Sequence, residues 1–252
     1  MTKTNHNDTM LKKIFNSYYR NYFLTLFSFS QKSFSQFLKA NKSKNSNKIE
    51  MELGIFRNFW DGQPNHLPFL SFRSYADEPE TFNLKLSISK LEFILENNSE
   101  ESIKEGIQLL LLNEDWRSHL VASIALLSLK QATRESLLSY FWQRVSKGSW
   151  VSPQIMVTLS YSDVDFIAKG KKILSEDFKI DYADLSAIDH HVSRGRTPKN
   201  VAGKKVLASL DYLLNDVVND TFDNDAGGSI CKDWKENLDE SIRQNKFKPE
   251  QF

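Results

Sequence analysis

Between Leu84 and Asn245 the chain repeats one device, an apolar stripe at helical spacing, then a cap, then another stripe. Ser99 opens a helix through Leu112 in which Ile103, Ile107, Leu110 and Leu111 share a face. Asn113 and Asp115 offer caps for Trp116 to Leu129, with Leu120, Ile124 and Leu127 in period. Thr133 is placed to cap the next helix, which turns Leu137, Leu138, Phe141, Trp142 and Val145 inward and stops at Gly148. Ser152-Pro153 reads as an N-cap with Pro behind it, Ser162 with Asp165 as a capping box, and Thr197-Pro198 as a further start before Val201, Val206, Leu210, Leu213 and Val217. The last helix is expected from Ser229 to Asn245. With only 9 Gly and 6 Pro in 252 residues, the chain lacks the punctuation of a strand-rich fold, and no segment alternates convincingly. The pattern predicts an all-α fold of about nine helices, stacked as antiparallel pairs, either as a solenoid or as a compact domain.

Two echoes run along this train. GKKIL at Gly170–Leu174 recurs as GKKVL at Gly203–Leu207, and close helix contact is the expected compensation for a glycine inside a helix. Asp115-Trp116 through Ala122 and Leu126 is matched more loosely by Asp163-Val164 through Gly170 and Leu174. An acidic turn residue, a bulky residue, Arg117, then small Ala122 and Ala125 before Leu126-Leu127 resembles the second helix of a HEAT-like repeat. The resemblance covers roughly residues 99–174 and implies stacked helical pairs.

Ahead of the train lies a different composition. Residues 1–50 carry nine Lys/Arg against Asp8 and Glu50, a charge of +7, whereas the remainder carries 24 − 30 = −6. Leu11, Ile14, Phe15, Tyr18, Tyr22, Phe23 and Leu26 follow helical spacing among basic and polar residues, so residues 11–29 read as a basic amphipathic helix. It is suited to packing on the main body, to a membrane surface, or to a transit role, with Met51 as an alternative functional start. The run is broken by Arg20 and is too short to span a bilayer. Residues 41–48, NKSKNSNK, form a linker, which sets domains at 1–50 and 51–252. Residues 51–83, with Phe56, Phe59, Trp60, Phe69, Phe72, Tyr75 and Phe82 among Pro64, Pro68 and Pro79, read as a loop-rich wrap whose aromatics plug the core. Stacking on a ligand is the other use of those rings.

Catalytic chemistry is sparse. Asp189-His190-His191 matches the letters that name the DHH phosphoesterases, but the preceding YADLSAI reads as helix and no Asp-x-Asp follows an upstream strand. Adjacent histidines also point ~100° apart on a helix and miss the i, i+4 spacing of a zinc helix. Asp220, Asp223 and Asp225 before Gly227-Gly228 fail the calcium-loop register, because Trp234 falls where the bidentate Glu belongs. GKK lacks the remaining residues of a phosphate loop. The single Cys231 cannot pair within the chain; a first-turn thiol has the option of a lowered pKa, but without a credible His/Asn partner it reads as a plain cysteine. No cofactor and no metal is expected, and the location expected is cytoplasmic.

One electrostatic feature remains. From Asp211 to Glu240 there are nine acidic residues against Lys232 and Lys235, or −7. Such a segment steers a basic protein partner and repels phosphates, so direct nucleic-acid binding by the main domain is not expected. By architecture and charge the chain is similar to the small all-helical immunity proteins and antitoxins of bacteria, which implies a non-catalytic binding module docking a basic toxin domain. Asp216, Asp220, Asp223, Asp225 and Glu236 are the expected contacts, with Trp116, Trp142 and Trp150 as aromatic anchors. A metal-dependent hydrolase using His190, His191 and the Asp220–Asp225 cluster, and a membrane-peripheral adaptor using the leader, are the alternatives.

Overall fold

The computed structural model describes residues 53–73, 83–176, 178, 180 and 198–249. Every regular element among them is helical. A one-turn helix α1 (Asn58–Asp61) lies between 3-10 turns at Gly54–Phe56 and Leu67–Leu70. Eight longer helices follow: α2 (Leu84–Glu96), α3 (Glu100–Leu112), α4 (Trp116–Leu127), α5 (Gln131–Lys147), α6 (Ser152–Ser162), α7 (Phe166–Ser175), α8 (Pro198–Asn215) and α9 (Gly227–Arg243). None is long and apolar enough to cross a membrane.

Local chemistry sets several boundaries as the sequence predicts. The Ser99 hydroxyl accepts from Ser102 N–H, and the Asp115 carboxylate from Arg117 N–H at 3.1 Å. Gly148 ends α5 at φ 87°, a conformation that only glycine takes up without strain. Other boundaries move because a tertiary partner wins. Thr133 lies inside α5, which starts at Gln131, and its hydroxyl donates across to Glu100 Oε1 of α3 at 2.8 Å. Ser152 is already helical, and it is Ser149 Oγ that takes Val151 N–H. Ser162 closes α6 instead of opening α7, and Asp163 Oδ1 takes Asp165 N–H at 2.9 Å. The last helix starts at Gly227 and stops at Arg243. The looser echo therefore marks a shared turn device, since Asp115 and Asp163 each accept from the N–H two residues on.

Short connections at 97–99, 113–115, 128–130, 148–151 and 163–165 join the helices, with α3 packed against α4 and α5 against α6. Helices α3 and α5 run parallel. Thr133 meets Glu100 near the starts of α5 and α3, and Arg144 Nη1 meets Leu111 O near their ends. Helices α4 and α6 lie at the centre in contact with each other. Every residue from Ser118 to Leu127 and from Ser152 to Leu159 is buried, including the polar Ser118, His119, Ser123, Ser152, Gln154 and Thr158, so these stretches turn no face to solvent.

Both ends of residues 53–249 close over this centre. Phe56, Phe59, Phe69 and Phe72 are buried, so these aromatics plug the core and are not exposed for stacking; Tyr75 and Phe82 lie outside the described residues. Phe72 packs edge-on against Trp234 of α9 and Phe247, with ring centroids 5.6 and 5.4 Å apart. Trp234 Nε1–H donates to Phe69 O at 2.8 Å, and Asn237 Nδ2 to Ser71 O at 2.9 Å.

The final helix departs from the antiparallel rule. Gly227 sits against the Lys205 backbone and Cys231 Sγ lies 3.8 Å from Ser209 O, so α9 runs parallel to α8. Residues 216–226 are the return segment that makes this possible. The echoed glycines also differ. A Cβ on Gly170 would come within 2.9 Å of Leu210 and Leu214, whereas on Gly203 it would meet only Ile180, at 3.6 Å. The expected close helix contact exists at Gly170 and not at Gly203.

Candidate docking surface

The return segment is held by its own side chains. Thr221 and Asn224 exchange reciprocal side-chain to backbone hydrogen bonds of 3.0 and 3.2 Å, and buried Asn224 also donates to Asn219 O. Asp220 Oδ1 accepts from Ser229 N–H at 3.1 Å, which ties the segment to the first turn of α9. Asp216, Asp225 and Ala226 all adopt positive φ, the sharp bends that reverse the chain after α8 and launch α9. Asp216 N–H and Val217 N–H donate to Tyr212 O and Asp211 O and so cap the end of α8, and the pairing of Asp223 with Lys204 brings the segment back alongside that helix.

Several of the nine carboxylates counted in the sequence are paired in place, with Lys204, Lys205 and Arg243 reaching them from outside the acidic stretch. Asp223 pairs with Lys204 at 2.7 Å, Asp239 with Lys235 at 2.8 Å, and Glu240 with Arg243 at 2.5 Å. Asp225 pairs at 3.1 Å with Lys205, whose side chain is only 2% exposed. That ammonium also donates to Trp150 O and stands 3.7 Å from the Trp150 ring centroid. Tyr161 donates its hydroxyl to Asp239, and burial together with that bond pushes the phenol up to about 12. Glu236 has only Lys232 at 3.9 Å. Among the described residues Asp165, Asp211, Asp216, Asp220 and Asp233 have no ion-pair partner. Burial raises the Asp233 carboxyl above its ordinary range; Arg73 opposes this, while Glu236 and Asp220 add to it.

Of the three tryptophans expected as anchors, Trp116 is buried and Trp142 and Trp150 are half-buried, each held by a neighbour within the chain. Trp116 is buried, lies edge-on to His66 and carries Arg117 over its face at 4.6 Å. Trp142 donates Nε1–H to Asp163 at 2.6 Å and stacks on Phe166. Asp163 also holds Lys169 at 2.7 Å; burial works against its charge, but these hydrogen bonds outweigh it and keep the carboxyl below its usual range. Trp150 is taken up by Lys205.

The apolar side chains at the surface are elsewhere. Val164 is 87% exposed, Ile167 60%, Val217 50%, Val218 41% and Phe222 54%. Five of the eight large exposed apolar residues among those described thus sit in two connections and the turn beside one of them. Val217, expected inward, lies past the end of α8, where the chain has already turned at Asp216. The legible signal was an apolar residue set among carboxylates in a connection, as in Asp163-Val164-Asp165 and Asp216-Val217-Val218.

The remaining chemistry is internal. His119 Nε2 donates to Asn113 O at 2.7 Å and Nδ1 accepts from Ser149 Oγ at 2.8 Å; both side chains are buried, and the pair braces the α3–α4 turn against the start of α6. Burial raises the Cys231 thiol well above its usual value, in keeping with a plain cysteine and against a reactive first-turn thiolate. Asp220, Asp223 and Asp225 each turn to a different internal partner, and no three His, Cys, Asp or Glu among the described residues are placed to hold a metal. His190, His191 and the basic leader lie outside the described residues. No family model, curated protein or solved structure matches the chain.

Proposed function

We propose that the chain is a non-catalytic helical binding module of the cytoplasm that docks a basic protein partner through its acidic C-terminal surface, in the manner of an inhibitor that occludes a toxin. The observation that carries this reading is the set of carboxylates without an ion pair among the described residues, Asp216 and Asp220 on a segment braced by its own hydrogen bonds, Asp211 on α8 and Asp233 on α9, with weakly paired Glu236 beside them. A charge fixed in place attracts a Lys/Arg-rich surface without first having to be ordered. Asp223 and Asp225 contribute less, because Lys204 and Lys205 already offset them.

The test is co-purification and titration with the protein encoded beside it in its genome, with a basic toxin domain as the expected occupant. Neutralising Asp216→Asn, Asp233→Asn and Glu236→Gln together should weaken binding by about tenfold at low salt, at a few tenths to 1 kcal/mol per exposed charge. The same variant should flatten the salt dependence. Asn at 216 retains the left-handed backbone. Binding that is indifferent to these changes, or to added salt, would sink the acidic-surface mechanism.

A further inference from the structure

Residues 215–223 are all exposed, and residues 216–221 form no helix, turn or bend. They cross the first turn of α9 as an extended chain does. A Cβ on Gly228 would come within 3.6 Å of Val218 Cγ1 and 3.1 Å of Asp220 Oδ1, so two residues with one between them turn their side chains to the same place. Side chains alternate in that way along a strand. Asn219, between them, offers its backbone instead: its nitrogen is 3.3 Å from that Cβ, and its carbonyl accepts from Asn224 Nδ2.

The N–H and C=O of an extended residue share one edge, and those of its two neighbours share the other. Asn219 uses the inner edge. The N–H and C=O of Val218 and Asp220 therefore lie on the outer edge, where no group among the described residues exchanges a hydrogen bond with them. This edge is held in place before any partner arrives, since Asp220 is tied to Ser229, Asn224 to Thr221 and Asn219, and Asp223 to Lys204. An ordered edge of unpaired backbone groups is what an incoming strand pairs with.

Charge decides which strand. Asp216 and Asp220, on either side of Val217 and Val218, have no ion pair, and Asp233 of α9 lies within the field of both Asp220 and Glu236. No Lys or Arg occurs from Val206 to Cys231, so a cation arriving at the segment meets carboxylates and no like charge from it. Val217, next in the alternation before Val218, is 50% exposed and gives an arriving apolar side chain a contact.

We infer that the edge formed by Val218 and Asp220 receives an extended basic segment of the partner, which adds to it as a strand through backbone hydrogen bonds and sets Lys/Arg side chains on Asp216 and Asp220. This inference rests on the docking function proposed above and specifies the conformation of what the partner presents. The carboxylates bring the segment in, and the backbone bonds select an extended chain over a helix, whose own backbone groups are already paired.

The probe is a synthetic peptide of about eight residues alternating Lys and Val, beside the same peptide N-methylated at two adjacent central amides, which keeps its charge and side chains but blocks both of its edges. Titrated against the full chain at physiological salt, the unmodified peptide should bind about tenfold tighter, as expected of the few backbone hydrogen bonds at stake. Amide exchange at Val218 and Asp220 should slow when it is bound. Val218→Pro deletes a donor that has no acceptor within the chain, and should reduce the preference with the helical circular dichroism unchanged. Equal binding of the two peptides, or unslowed exchange at both amides, overturns the inference. In the Asp216/Asp233/Glu236 variant both peptides should weaken alike with their ratio kept. If both weaken there but the wild type shows no preference between them, the acidic surface stands and the strand pairing fails; if that variant binds both as the wild type does, the docking reading itself fails.

Discussion

His66 shows how one residue makes stability depend on pH. Its ring is buried between Trp60, stacked at 5.4 Å, and the edge-on Trp116. Burial, then the nearby Arg117 guanidinium, lowers its pKa to about 4, against opposition from Asp115 and the Phe59 carbonyl. The folded-state value lies below the ordinary 6.5, so as pH falls the unfolded chain takes the proton first. No stability is lost above pH 6.5. Between 6.5 and about 4 the loss accumulates to about 3 kcal/mol, at 1.36 kcal/mol per pH unit. Glu92 and Asp233, whose carboxyls are raised mainly by burial, work in the opposite direction as they protonate, so the comparison is between wild type and His66→Gln at matched pH. Denaturant unfolding should show a shallower acid slope in the variant; identical slopes would remove His66 as the cause. Nothing local in Asn65-His66-Leu67 marks this histidine, because its environment comes from Trp60 and Trp116, which are brought together only by the fold.

Among the elements, the glycines of α7, α8 and α9 look alike in sequence and differ in what they touch. Gly203→Ala meets only Ile180 at 3.6 Å and should gain up to ~1 kcal/mol of helix propensity. Gly170→Ala gains the same propensity but drives a methyl to 2.9 Å from Leu210 and Leu214, whose flexible ends give way, so its net change should be near zero. Gly227→Ala would strike the Lys205 backbone at 2.9 Å and should cost about 1–3 kcal/mol, since neither helix can retreat without opening the parallel α8–α9 contact. Urea unfolding of the three variants should rank Gly203→Ala above Gly170→Ala above Gly227→Ala, and any other order contradicts this account. Helix identity and most boundaries were legible because stripe and cap lie within a few residues. Thr133, Ser152 and Ser162 were misplaced because their acceptors and competitors lie on other elements or in the adjoining turn.

At the scale of residues 53–249, the first and last segments share one cluster in which Phe69, Phe72, Trp234 and Phe247 are packed together. A lesion there should unfold the whole unit, where a row of repeats touching only their neighbours would fray from one end. Trp234→Ala removes a side chain that is 1% exposed and should cost about 3–5 kcal/mol. Helical circular dichroism and the fluorescence of the remaining tryptophans should lose signal at one shared denaturant midpoint. Separate midpoints would show that the two ends are not coupled.

The sequence by itself determined that the chain is helical, where most of its helices begin and end, and which half carries the negative charge, because periodicity, caps and ionisable groups are properties of neighbouring residues. Which carboxylates keep their field, and which apolar side chains remain in water, was decided only by the tertiary structure. Lys204 and Lys205 reach Asp223 and Asp225 because the return segment folds back along α8, and Val217 stays in water because the chain has already turned at Asp216 beyond the end of that helix. Charge and hydrophobicity belong to residues, whereas their cancellation or exposure depends on distances between residues far apart in the chain.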